Sequence, residues 1–418
     1  VVGAPKIRAT LAVLRELSTE NKSCIEKGVF SMKKLLVAVL ILVSAVLFAG
    51  TVSVIGPWSG VEMDAFIPVL EAFKAETGID YTYQTYRAED LANVLPAQFS
   101  AKKSPADVIF MWSSFITSNT KSIVELTDVI DTDAYIPGAL DNVTTADGKV
   151  YGIAYTAKVK PGFWYRKSFF EAHGLTAPRT WDEFVTLLEE IQATPGIKNA
   201  IASGNGVGWP LSDVTEHFLI AFGGPELQKD LIEGNTSWNS YAVRNAIGKL
   251  VYLIEKGYFS EPTEWTTILE QWWNGEYGLY FMGQWITGMV ADPDDLAVFS
   301  LPGSRGMVFS IDYAFVPEFA TNKTEALELV KFLSGEKGQS IQVSQGGHIA
   351  TVEVDMSNYP PVDKEIAKLT EGVETLNDLD DSIGGLWQTA FWDQLKLLWV
   401  RPERLDEVLM DLEQKMPK

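Results

Sequence analysis

Apolar positions along this chain switch between a period of two and a period of 3.6. Val52, Val54 and Ile55 make a short apolar strand that runs into Gly56-Pro57-Trp58. Phe66, Val69, Leu70 and Phe73 then recur at i, i+3, i+4 and i+7, the stripe of an amphipathic helix. Pro68 has no amide hydrogen, so the pattern predicts it near the helix start, with Asp64 as cap and Gly78 as terminator. Residues 79–83 alternate as a strand, 89–101 read as a second helix, and 105–112 read as a buried strand ending on Trp112. This β-α-β-α-β order predicts an α/β fold with a parallel sheet and ligand space beyond the carboxyl ends of its strands. Trp58 and Trp112 both stand at such ends. Further on, 147–155 read as a turn and strand continuing to 163–167, and Thr180 with Glu183 forms a capping box.

Composition narrows the class. The first methionine is Met32, and Lys33-Lys34 followed by an apolar run to Ala49 has the layout of a secretory signal peptide over 32–49. A transmembrane anchor is the competing reading of that run, but no polar spacer separates it from the first strand. Residues 1–31 are then expected to be an upstream extension absent from the exported protein. The single cysteine, Cys24, lies in that extension, so the exported chain is expected to have no disulfide and no lipid-bearing cysteine. A soluble periplasmic protein without a lipid anchor follows. The formal charge of −21 argues against nucleic acid and anionic membranes as partners. The length of 418 residues suits two domains of similar size. Thirteen tryptophans exceed what cores of that size require and point to a stacking site.

Five blocks in order carry a resemblance: 54–78 with its Thr77-Gly78-Ile79, 105–112, 147–184, 274–285 and 314–351. Together they resemble the carbohydrate-type extracellular solute-binding proteins of ABC importers, the maltodextrin-binding-like family, over essentially all of 51–418. The resemblance implies a type II periplasmic-binding-protein fold, with two α/β lobes, a ligand cleft and three crossings near 155–163, 302–312 and 351–359. It places lobe I at 51–158 plus 310–350 and lobe II at 159–309 plus 351–418. It also implies a non-enzymatic monomer that hands a sugar or short oligosaccharide to membrane permease subunits, with no cofactor. One departure is Tyr165-Arg166-Lys167, where the family more often has Tyr-Asn-Lys.

A sugar site needs flat aromatics against C–H faces and charged or amide groups on the hydroxyl edge. Trp181, Trp272, Trp273, Trp392 and Trp399 fall on helical faces that suit a core, Trp164 suits packing near a crossing, and Trp238 suits the surface. Trp58, Trp112, Trp209 (in a glycine-rich loop, 204–210), Trp285 and Trp387 remain as stacking candidates, the last two also implied by the resemblance. For the polar edge the candidates are Glu62, Asp64, Arg87, Lys158, Asp312, the Gly346-Gly347 backbone and His348. The three histidines are scattered and no cysteine is available, so a metal site is not expected. The competing functions are the same fold holding a polyamine, polyol or ion, and a secreted carbohydrate-active enzyme built on two opposed carboxylates.

Overall fold

The computed structural model describes residues 50–205, 208–369 and 372–417. The expected extension, the leader at 32–49 and Cys24 lie outside these residues, as do Gly206 and Val207 of the glycine-rich loop. Among the described residues no helix is long and apolar enough to cross a membrane.

The chain opens as the apolar pattern requires: β1 (Thr51–Gly56), α1 (Val61–Thr77), β2 (Asp80–Thr85), α2 (Ala88–Ser100) and β3 (Val108–Phe110). β1 pairs in parallel with β2 and β3. The predicted cap does not hold. Gly60 caps α1, Asp64 lies one turn inside, and Pro68 sits in the helix interior. Pro68 cannot donate to the Asp64 carbonyl, and the helix tolerates the loss because Phe66, Val69, Leu70 and Phe73 are buried around it.

Among the described residues two large sheets share the chain, beside a small parallel pair of Gly204–Asn205 with Thr263–Glu264. The first has the order β10-β4-β9-β3-β1-β2, where β4 is Ile153–Lys160, β9 is Gly306–Phe315 and β10 is Ile349–Ala350. The second has the order β8-β5-β7-β6, from Gly162–Arg166 (β5), Asn199–Ala202 (β6), Tyr277–Met282 (β7) and Leu296–Phe299 (β8). β4 ends at Lys160 and β5 begins at Gly162, so only Pro161 separates one sheet from the other. β9 leaves the Gly303–Arg305 turn and runs antiparallel beside β4, pairing Val308 with Lys160 and Asp312 with Thr156. A late strand, β11 (Glu374–Asn377), returns to pair in parallel with Gly306–Phe309. The first sheet's core is built on Val52, Phe66, Phe110, Tyr155 and Phe315. The larger core of the second part gathers Phe163, Phe184, Phe218, Leu250 and Phe391.

Trp238, expected on the surface, is fully buried in that larger core, tilted against Trp387 and Phe391. Its segment is short, and the helix that covers it comes from about 150 residues downstream. The Thr180 hydroxyl accepts from the Glu183 amide at 3.2 Å, and the Glu183 carboxylate takes the Arg179 amide at 2.7 Å.

Candidate ligand-binding cleft

A cavity of about 620 Å³ opens where the carboxyl ends of β1 and β3 face the second part of the chain. Its size falls within the ~300–1,000 Å³ of small-molecule sites. Trp58 forms part of the floor on the β1 side. Its backbone is fixed by β2: Tyr83 Oη donates to the Trp58 carbonyl at 3.0 Å and Thr85 Oγ1 does so at 2.8 Å. Its ring packs on Phe66 and Phe110, with centroids 4.8 and 4.6 Å away, leaving 4% of the residue exposed. Trp112 follows β3 at the cap of the short helix Ser113–Ser118 and is half-buried on the same side.

The facing wall is a run of indoles. Trp285 lies in the turn after β7, Trp209 starts α3 (Trp209–Gly223) and Trp265 starts α4 (Trp265–Trp273). Trp209 sits edge-on to both others, with centroids 5.7 Å from Trp285 and 5.6 Å from Trp265. Small backbone groups hold Trp285 in place. A Cβ on Gly283 would lie 1.8 Å from its ring, and one on Gly347, whose φ is +77°, would lie 2.8 Å from its Cα and carbonyl oxygen. Asp363, buried behind this turn, accepts from Gln284 and Thr287 at 2.9 Å and from the Gly347 amide at 3.2 Å.

Between the two walls Lys158 of β4 pairs with Asp312 of β9 at 2.8 Å. Glu62, in the first turn of α1, is pushed up to about 7 by burial; Lys158 pulls it down and Asp312 pushes it up further. Deeper in, Lys160 donates to Asp213 of α3 at 2.5 Å and to Asp378. Glu216, Asp380 and Asp381 complete this acidic group, the last two on α5 (Leu379–Ile383). Burial pushes Asp213 up to about 7 and Asp381 up to about 8. Burial also pushes on Asp378, but Lys160 overrides it and holds that carboxyl at about 2. Donors to the group include Trp392 Nε1 to Asp380, Gln388 Nε2 to Asp381 at 2.7 Å, and the Leu379 amide, Ser212 Oγ and Gln228 Nε2 to Glu216 at 2.8, 3.0 and 2.5 Å. Asp213, Glu216 and Asp378 bring oxygens within 4.8 Å of one another, as do Asp378, Asp380 and Asp381. That is metal-ligand spacing, which a search for His and Cys did not foresee, and the Lys160 ammonium already bonds two of the five carboxylates.

The cavity thus gathers Trp58, Trp112, Trp209, Trp285, Glu62, Arg87, Lys158 and Asp312 from the sequence candidates. It does not gather five others. Trp387 lies on α6 (Gly385–Val400), 2% exposed, stacked on Phe391 at 4.9 Å, with its indole N–H given to the Leu412 carbonyl. It is a core residue. Asp64 is exposed and away from the cavity, because two helical residues on from Glu62 it points about 200° around the axis. Gly346 and Gly347 back the Trp285 turn rather than line the cavity. His348 is buried behind β4, its Nδ1 3.0 Å from Thr156 Oγ1. Burial, with Lys158 adding to it, drives this imidazole well below its ordinary range. Arg166, the departure from the family pattern, lies over the Phe169 ring and outside the cavity. Sequence reasoning missed Trp265, Trp392 and the Lys160 group. Trp265 carried a usable signal, since Glu264 before it caps α4 by accepting from Thr266 and Thr267 and so fixes the indole at a helix start.

The profile for bacterial extracellular solute-binding proteins matches residues 58–340. A Pyrococcus horikoshii protein, named as an ABC transporter extracellular-binding protein, is 55% identical over 374 residues, covering 88% of this chain and 89% of its own. Among solved structures, the bacterial solute receptor AcbH, described as preferring β-D-galactopyranose, superposes with a TM-score of 0.79 at 16% identity. That match covers 88% of this chain and 98% of the other. The maltose-bound MalE3 of T. maritima gives 0.72 at 18% identity, covering 88% and 99%. The fold is that of the type II periplasmic sugar-binding proteins, and the chain belongs to the bacterial extracellular solute-binding protein family, the binding components of ABC transporters.

Proposed function

We propose that this protein is an exported, monomeric receptor that captures a sugar or short oligosaccharide and delivers it unaltered to an ABC importer's permease. The lobes in this reading are 51–158 plus 310–350 and 159–309 plus 351–418, with β4, β9 and the segment after β10 as the crossings. Trp58 and Trp112 come from one lobe and Trp209, Trp265 and Trp285 from the other, so closure would sandwich a sugar ring between indoles. Glu62, Arg87, Asp312, Lys158, Asp380 and Asp381 would bond its hydroxyl edge. The protein would work outside the cytoplasmic membrane, without a lipid anchor.

The observation that carries this reading is one cavity walled by indoles from both parts of the chain and edged by carboxylates and a lysine. The sugars named for AcbH and MalE3 support it. A specific observation favours a second reading, a polyamine in the same cleft: carboxylates outnumber cations along the cavity. Thermal-shift screening against sugars, spermidine and metal salts separates the two. A sugar that raises the melting temperature, with compaction in solution scattering, is the expected result; a rise with spermidine and with no sugar would sink the proposal.

A further inference from the structure

The Lys158 ammonium lies 5.6 Å from the Trp58 ring centroid and 5.8 Å from that of Trp285. Asp312 bonds it at 2.8 Å, and Glu62 is close enough to feel its charge. Two indole faces from opposite walls with two carboxylates beside them form the arrangement that holds organic cations, since ring quadrupoles and carboxylates both favour positive charge. Here the chain supplies that cation itself. Lys158 reaches the spot from β4, a strand buried along its whole length, so the ammonium is delivered by rigid backbone. All five residues line the cavity.

We infer that Lys158 is a specificity-determining residue: it fills the Trp58–Trp285 aromatic cage and so makes the cleft reject cationic solutes such as quaternary ammonium compounds and polyamines. The inference rests on the cavity being the solute site, and it adds a reason for neutral ligands to be taken. A cationic solute entering the cage would meet a like charge that is partly desolvated and already paired. A neutral polyol would meet an ammonium donor, two indole faces and the Asp312 and Glu62 carboxylates. Shortening or neutralising residue 158 leaves the cage and its carboxylates without a cation, which turns a barrier into a binding site.

The test uses the exported protein with choline as probe, followed by calorimetry and by tryptophan fluorescence. Lys158→Met should bind choline at least about tenfold more tightly than the parent protein, with a saturable change in indole emission, because each desolvated cation–indole contact is worth about that factor. Lys158→Gln, which keeps a polar group for Asp312, should gain in the same direction and covers the case in which methionine prevents folding. Lys158→Arg keeps the charge and should gain nothing. Choline binding by the parent equal to that of Lys158→Met overturns the inference, and so does a cooperatively melting Lys158→Gln that gains none. A sugar screen of the parent is scored separately. If sugars fail there while Lys158→Met gains choline, the sugar reading falls and the cage stands; if sugars bind and no variant gains choline, the reverse holds.

Discussion

Replacing Lys160 by methionine probes the acidic group at the base of the cleft. Lys160 is buried, and burial alone would lower its pKa, but Asp213, Asp378, Glu216 and Asp380 outweigh that and hold it well above the ordinary lysine value. Methionine retains most of the stem and removes the charge, which leaves Asp213 and Asp378 buried without their partner. Breaking a buried pair from one side costs about 3–5 kcal/mol. The cost should depend on pH. With Lys160 present, Asp378 titrates at about 2, below its unfolded value, so its contribution is full above about pH 4 and is lost progressively as pH falls from there through 2. Asp213 and Asp381 titrate at about 7 and about 8, above their unfolded value, so they favour the folded state in acid and lose that contribution as pH rises through 7 to 8. Without Lys160, Asp378 joins the second kind, and each unit by which its pKa rises adds about 1.4 kcal/mol to the loss at higher pH. Urea unfolding of both proteins at pH 5 and pH 8 measures this. The expected result is a deficit of about 3–5 kcal/mol at pH 8 that narrows at pH 5. A deficit below about 1 kcal/mol, equal at both pH values, would mean that the group is solvated and that Lys160 does not hold it together.

Three further substitutions separate the cleft from its supports. Gly347→Ala puts a Cβ 2.8 Å from the Trp285 backbone in a left-handed conformation; it should displace that indole and weaken binding of the sugar that scores in the thermal screen by at least about tenfold, measured by titration calorimetry. Trp387→Ala should cost about 3–5 kcal/mol of stability with affinity unchanged, whereas Trp209→Ala should lower affinity more than stability; urea melts and calorimetry on the pair would expose a reversed order. Asp107→Asn tests a different region. Burial raises this carboxyl, but the Asn322 and Ser53 donors, at 2.6–3.2 Å, outweigh it and bring it below the usual range. Its contribution is therefore present at neutral pH and lost as pH falls, so the ~1–3 kcal/mol deficit of the variant at pH 7 should shrink in acid melts.

What the sequence made legible was whatever depends on near neighbours. The strand and helix periods over 51–110 carry β1 to β3 and their helices, while the Gly56-Pro57 turn after β1 and the short helix Ser113–Ser118 after β3 carry Trp58 and Trp112 to the cavity edge. What stayed hidden depends on pairings across the fold. Trp238 and Trp387 pack on each other, and neither segment alone distinguishes a buried partner from an exposed one. Trp392 has a core residue's position on α6, yet its indole N–H reaches Asp380 at the cavity. That bond is made back across the Gly384 turn that joins α5 to α6. The Lys160 group draws on β4, α3 and α5, and in sequence each of its carboxylates looks like solvated surface.

The same reasoning explains why Glu62 and Asp64, inseparable by composition, part company. A helix turns about 100° per residue, so once Phe66, Val69 and Phe73 have chosen the buried face, the two carboxylates must point in nearly opposite directions. The burial stripe therefore selects Glu62 for the cleft and leaves Asp64 in solvent. Glu62 then meets Lys158 and Asp312, which sit on neighbouring antiparallel strands only because β9 runs back along β4. The edge of the cavity is thus set by two facts that a linear reading can hold together only in part. One is a local helical phase, which the sequence displays. The other is a pairing between strands about 150 residues apart, which belongs to the fold's topology and which brings the ammonium of one strand to the indoles of both walls.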